Sequence, residues 1–255
     1  MIRASGVSDA GHVRSTNEDA FVADSDARLF AVADGMGGHS AGEVASRLAI
    51  DAISDFIRRS KEDPDFTWPE ELDARLSFDG NRLRTAVQMA NRRVFHAASS
   101  NDDYSGMGTT IVGALVNGSS VAIASVGDSR AYLVADGTIE QITADDSWTA
   151  TLLKQDPRLR ADDLARHPMR NVLTKVLGAH EAVDVRVSEL ALRGGDVLLL
   201  CSDGVHGVLE ANALREILLQ TPDVDEAAHA VVASALDRGS RDNVTAVVLR
   251  YEAES

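Results

Sequence analysis

Four aspartates stand where strongly apolar runs end or begin, and this placement constrains the chain more than any other feature. Asp34 closes Leu29-Phe30-Ala31-Val32-Ala33 and precedes Gly35. Asp128 follows Val121-Ala122-Ile123-Ala124-Ser125-Val126-Gly127. Asp203 ends Val197-Leu198-Leu199-Leu200-Cys201-Ser202, and Asp242 precedes Asn243-Val244-Thr245-Ala246-Val247-Val248-Leu249. Runs of that composition read as core strands. Carboxylates crowded at the ends of core strands repel one another and lose solvation. A bound cation relieves both costs, and all-oxygen donors suit Mg²⁺ or Mn²⁺. The chain therefore reads first as a metal enzyme.

Length and charge narrow the classes further. A chain of 255 residues is one large domain or two small ones. Apolar residues make up 44% and charged residues 25%, enough for an ordinary core. The formal net charge of −15 argues against general nucleic-acid binding. The lone cysteine, Cys201, excludes an intrachain disulfide and fits a reducing compartment. No stretch approaches the roughly 20 apolar residues of a membrane span, and the N-terminus lacks a long apolar segment of the signal-peptide kind. The expectation is a cytoplasmic monomer with neither membrane nor nucleic acid as partner.

Periodicity places short strands in the first 35 residues and helices at 41–59 and 81–98, the second with Leu83, Val87, Ala90, Val94 and Phe95 inward. Strands are expected at 109–116, 120–126, 130–134 and 138–142, with hairpin turns at Asn117-Gly118 and Asp136-Gly137. A helix at 147–155, strands at 183–190 and 197–201, helices at 211–220 and 224–237 and a last strand at 243–251 complete the order. The polar stretch 60–79 reads as loop pinned by Trp68, and 156–167 as a mobile surface segment. Hairpin signals dominate and βαβ alternation is missing, which points to α+β architecture with antiparallel sheets and outer helices. No linker divides the chain, so residues 1–255 are read as one domain.

Six motifs follow one another. The first is Gly11-His12-Val13-Arg14-Ser15-Thr16-Asn17-Glu18-Asp19, in which Arg14 is a natural phosphate clamp and Glu18 and Asp19 are a paired acid. The second is Asp34-Gly35-Met36-Gly37-Gly38-His39, a glycine cluster that lets backbone approach a ligand. Then come Gly106-Met107-Gly108-Thr109-Thr110, Val126-Gly127-Asp128-Ser129-Arg130, Cys201-Ser202-Asp203-Gly204-Val205 and Asp242-Asn243-Val244-Thr245. A salt-bridged turn or a glycine-rich turn explains any one alone.

In this order the six resemble the metal-dependent type-2C (PPM) protein phosphatases, in their bacterial branch, from about Ser8 to Leu249. The resemblance implies an αββα sandwich of two antiparallel sheets flanked by helices. It implies Ser/Thr phosphoprotein hydrolysis with Mn²⁺ or Mg²⁺, two ions in the core site and a weaker third. Asp34, Asp203 and Asp242 match ligands of the first ion. Asp34 also matches the bridge to the second, which the Gly35 carbonyl helps to hold. Glu18 matches an acid acting through water, with Asp19 beside it. Asp128 with Asp203 matches the third site, and Arg14 the phosphate-binding arginine. A water shared by two divalent ions and attacking phosphorus in line is the implied mechanism. Phosphorylated proteins, and a Ser/Thr kinase whose action is reversed, are the implied partners.

The chain departs from the pattern in two places. Met36 stands where eukaryotic members carry a histidine proposed as general acid, which leaves metal-bound water or a histidine on another loop as the proton source, with His39 the candidate against a satisfied or solvated histidine. Asp146 stands in Thr143-Ala144-Asp145-Asp146-Ser147 where the family often has His. Residues 156–177 match the variable flap; Arg158, Arg160, Arg166 and Arg170 in it read mainly as a solvated face. Cys201 is read as packing, because Gly207 stands where a cysteine phosphatase needs arginine and an apolar strand disfavours thiolate. The alternative is a non-catalytic or partner-activated phosphoprotein-binding regulator of the same fold. Such a degenerate module is expected to lack one of Arg14, Asp34, Asp203 or Asp242, and all four are present.

Overall fold

The computed structural model describes residues 1–38, 41–63, 66–68, 71–156, 158–160, 164 and 167–252. Strands β1 (Ile2–Asp9), β2 (Asp19–Asp24) and β3 (Leu29–Met36) lead into helices α1 (Ala41–Glu62) and α2 (Phe78–Ser100). Next come β4 (Gly108–Thr109), β5 (Ile111–Asn117), β6 (Ser120–Val126), β7 (Arg130–Ala135), β8 (Thr138–Gln141) and α3 (Trp148–Gln155). The chain continues with β9 (Arg186–Ala191), β10 (Val197–Cys201), the one-turn α4 (Asp203–His206), α5 (Ala211–Gln220), α6 (Val224–Asp237) and β11 (Val244–Tyr251).

The strands form two sheets, ordered β1-β11-β10-β7-β8 and β2-β3-β5-β6-β9, with β4 paired to β3. Neighbours in both sheets run antiparallel. The central strands are apolar on both faces because helices cover one face and the other sheet covers the opposite one, successive side chains pointing to each in turn. In β3, Phe30 and Val32 enter the core between the sheets, while Leu29, Ala31 and Ala33 pack against α1 and α2. In β10, Leu198 and Leu200 meet the facing sheet, and Val197, Leu199 and Cys201 pack under α5 and α6. The result is a four-layer αββα sandwich with three packed cores.

The turns follow local chemistry. Asp136 and Gly137 both have positive φ, 50° and 73°, as a two-residue β7–β8 hairpin requires. In the β5–β6 hairpin Asn117 pairs with Ser120, so the two loop residues are Gly118 (φ 60°) and Ser119, one position later than the Asn-Gly dipeptide suggests. Trp68 does pin its loop, through edge contacts with Phe56, Phe66 and Phe78. Phe95 is half-buried rather than in the core. No helix among the described residues is long and apolar enough to cross a membrane.

Candidate active site

Antiparallel pairing brings the start of β2, the end of β3, the end of β10 and the start of β11 to one end of the sandwich. Asp34 does not simply close its strand; β3 runs on to Met36. The register sets Asp34 directly opposite Asp19 on β2. Like charges at paired positions are destabilising, so something at this end must hold them.

Each motif supplies part of that hold. The Asp34 amide donates to Thr110 Oγ1 (3.0 Å), and its carbonyl accepts from the Thr110 amide (2.9 Å) and Thr109 Oγ1 (2.9 Å). The paired threonines therefore fix Asp34 through its backbone, and Thr110 Oγ1 also meets Ser129 Oγ at 2.7 Å, beside Asp128. Asp19 Oδ2 accepts from Ser202 Oγ (2.8 Å) and Thr245 Oγ1 (2.6 Å), which staples the second sheet to the first. Asn243 donates to the carbonyls of Ala10 and Thr16 (2.9 Å each) and accepts from the Glu18 amide (2.8 Å). One side chain thus fastens the loop that carries Arg14 and Glu18. Glu18 returns a carbonyl to the Gly35 amide at 3.1 Å. Two glycines are required by close approach. A Cβ on Gly35 would strike the Gly42 carbonyl, and one on Gly204 the Asn243 carbonyl.

Burial and crowding push the acids upward together. The Asp34 carboxyl lies well above the usual range, from burial first and then from Asp19, Asp203, Asp128 and Asp242. Burial raises Asp19 to about 7 against its two hydroxyl donors. Asp128 is raised to about 7 by burial and Asp203. Asp203 is raised by burial and Asp242, opposed by a hydrogen bond with Asp34. Glu18 is raised by burial and lowered in part by Arg14. Arg14 Nη2 donates to Asp242 Oδ2 at 2.6 Å, with about half its side chain exposed.

These residues fit a hard divalent cation. Asp19 Oδ1 and Asp203 Oδ1 are buried without a hydrogen-bond partner, a costly state for a carboxylate oxygen. All the donors are oxygens, as Mg²⁺ and Mn²⁺ prefer. Among the described residues no three His, Cys, Asp or Glu side chains are drawn into a finished cage. Cavity shape alone does not mark the place: a cavity of about 370 Å³ lies elsewhere, lined by residues such as Leu173, Val176 and Val183.

A protein phosphatase 2C family profile matches residues 10–242. The chain belongs to the protein phosphatase 2C family. This is the family of metal-dependent serine/threonine protein phosphatases. The chain is 38% identical over 248 residues to the serine/threonine protein phosphatase PstP of Mycobacterium tuberculosis, covering 97% of this chain and 45% of that protein. It therefore spans about half the length of that curated relative. It is 35% identical to the serine/threonine phosphatase stp of Listeria monocytogenes, covering 96% of this chain and 94% of that one. The crystal structure of the PstP catalytic domain in complex with two manganese ions superposes with a TM-score of 0.83 at 35% identity, over 99% of each chain.

Within this protein phosphatase 2C fold the remaining candidates separate. Met36 ends β3 and pairs with Gly108. His39 lies outside the described residues, as does Arg166. In the flap, exposed Arg158 is paired with Asp156 at 2.8 Å, in line with a solvated face. Trp148 stacks on His167, with centroids 4.3 Å apart. Cys201 is fully buried and its thiol is pushed up to about 12 by burial, so it packs and does not react. His206 was not singled out by sequence. Burial lowers it to about 4, so it is neutral, and its Nε2 lies 3.0 Å from the Asp128 carbonyl. Ser202, Thr245 and Asn243 sit inside quoted motifs, yet their service to Asp19 and Glu18 depends on contacts across more than 180 residues.

Proposed function

We propose that this chain hydrolyses phosphoserine and phosphothreonine in protein substrates, using divalent cations held at the acidic end of the sandwich. The observation that carries the reading is the set of mutually raised, buried carboxylates with orphaned oxygens, beside a half-exposed arginine. Asp34, Asp203 and Asp242 would hold a first ion, Asp34 and the Gly35 carbonyl a second, with Glu18 acting through water. Asp128 with Asp203 would hold a weaker third. Mn²⁺ or Mg²⁺ bound there supplies Lewis acidity, polarising the phosphoryl group and lowering the pKa of the attacking water.

The chain's own residues do the rest. Arg14 binds the phosphoryl oxygens as a bidentate donor and offsets charge as it develops. Asp19 stays in contact with Ser202 and Thr245 and keeps the two sheets in register around the acids. Thr109 and Thr110 hold Asp34 through its backbone. Arg14 and Asp242, the exposed members of the group, put its rim at the surface, where a phosphate presented on a protein can reach it. A cognate Ser/Thr kinase, whose products this activity reverses, is the partner that chemistry implies. This chain would fold as one catalytic domain and act as a monomer in the cytoplasm.

The test is phosphate release from a phosphothreonine peptide with Mn²⁺, then with excess EDTA, in the wild type and in Asp242→Ala. Release that vanishes in EDTA and in the variant supports the reading. No release with any divalent ion overturns it and favours a partner-activated or purely binding role.

A further inference from the structure

Asp146, where the family often carries histidine, has a place in the fold that the site so far described does not use. Its side chain is only 3% exposed, and its Oδ1 is 2.6 Å from Arg186 Nη2, at the first residue of edge strand β9. Its Oδ2 accepts from the Gly127 amide at 3.3 Å, and its own amide donates to the Gly127 carbonyl at 2.8 Å. One residue thus takes both backbone groups of the glycine that precedes Asp128. On its other side the Asp146 carbonyl accepts from the Thr174 amide at 2.7 Å, where the flap rejoins the body. Neighbouring bonds extend that seam: Ser147 bridges Leu173, and the Trp148 amide donates to the Val172 carbonyl at 2.9 Å. Arg186 Nη1 also donates to the Ala144 carbonyl at 2.6 Å.

We propose that the Asp146–Arg186 pair positions Asp128 and couples it to the flap exit at residues 172–174. The turn before Asp128 rests on Gly127, whose φ of 100° is a conformation that glycine alone adopts freely. It is gripped from one side by Asp146 and at the Asp128 carbonyl by His206 from the other. Arg186 is 42% exposed, but the carboxylate it faces is not. Removing the arginine leaves a buried charge without a counterion, which is a larger perturbation than breaking a surface pair. The Asp146 loop must then move toward solvent. Both seams it makes, to Gly127 and to Thr174, move with it. Its consequence for catalysis rests on the phosphatase reading above; the coupling itself does not.

The test compares wild type, Arg186→Gln, Arg186→Lys and Asp146→Asn. Hydrogen exchange is followed in peptides covering 123–130 and 170–176, together with Mn²⁺ calorimetry and steady-state kinetics on a phosphothreonine peptide. Arg186→Gln should speed exchange in both segments and weaken the lower-affinity Mn²⁺ step at least threefold. It should lower kcat at limiting Mn²⁺ with little change in KM, and Arg186→Lys should restore most of each. Asp146→Asn keeps an acceptor for the Gly127 amide and removes the charge, so it should move the same readouts less. Unchanged exchange at 123–130 in both Arg186→Gln and Asp146→Asn overturns the proposal, as does loosening of one segment without the other. A wild type with no metal-dependent activity would sink the phosphatase reading instead, and the exchange data would still decide the coupling.

Discussion

Asp19 shows at the scale of one residue how stability is set against function. It is buried, faces Asp34 across the ladder, and has one oxygen bound by two hydroxyls and the other by nothing. Replacing it by asparagine keeps an acceptor for Ser202 and Thr245 and removes a charge from a repulsive cluster. Asp19→Asn should therefore raise the melting temperature in EDTA at pH 8 by several degrees, since 1 kcal/mol is worth about 2–4 °C in a domain of this size. The same variant should bind Mn²⁺ more weakly. Calorimetric melting with and without the metal checks both, and an EDTA melting point at or below wild type would sink the idea. Arg14 makes the complementary case. Its guanidinium is half-exposed and already satisfied by Asp242, so its loss costs little fold. Arg14→Ala should raise KM for a phosphothreonine peptide at least tenfold, as loss of a charge-assisted pair of about 1.5–3 kcal/mol implies. An unchanged KM would remove Arg14 from the substrate site. The setting of Asp19 was only partly legible in the sequence. An acid beside an apolar run announces itself, but the hydroxyls that hold it come from β11 and the end of β10, and no local pattern encodes that register.

At the scale of elements, what decides the site is how closely two backbones approach. The first turn of α4 lies against the residue before β11, and a Cβ on Gly204 would collide with the Asn243 carbonyl. Asn243 in turn ties the Arg14–Glu18 loop to β11. Gly204→Ala should thus separate Asp203 from Asp242 and loosen that loop. It should lower the melting temperature by several degrees, as overpacking of about 1–3 kcal/mol implies, and reduce kcat at least tenfold. Gly38→Ala is the control, because nothing lies within 4 Å of the added carbon. Equal melting points for the two variants would contradict the close-approach account. Helices α5 and α6 and strands β6 and β10 were legible to the residue, because their apolar patterns start and stop sharply at polar or turn residues. The face-to-face packing of the sheets was not legible without a family resemblance. Strands buried on both sides lose the apolar–polar alternation that would say which face meets which layer. The short α4 was missed for a related reason: one turn carries no periodicity.

Over the whole molecule the acidic end should be a local source of instability that a bound cation converts into stability. Asp19 and Asp128 titrate near 7 in the fold, with Asp34 and Asp203 also raised, whereas unfolded carboxyls titrate near 4. Between about pH 4 and pH 7 the native chain therefore holds protons that the unfolded chain has released. Unfolding then releases protons, and raising the pH favours the unfolded state across that window. In EDTA the melting temperature should fall as pH rises from 5 to 8. Saturating Mn²⁺ should reverse that slope, because a bound cation favours the ionised acids and displaces their protons. Mn²⁺ binding at pH 6.5 should accordingly release protons, seen as a calorimetric heat that changes with the ionisation enthalpy of the buffer. A melting temperature in EDTA that rises or stays level between pH 5 and 8 would show that the acids are not ionised at each other's expense. The cation would then be an addition to a stable fold, and the crowding of carboxylates at the strand ends would need another cause.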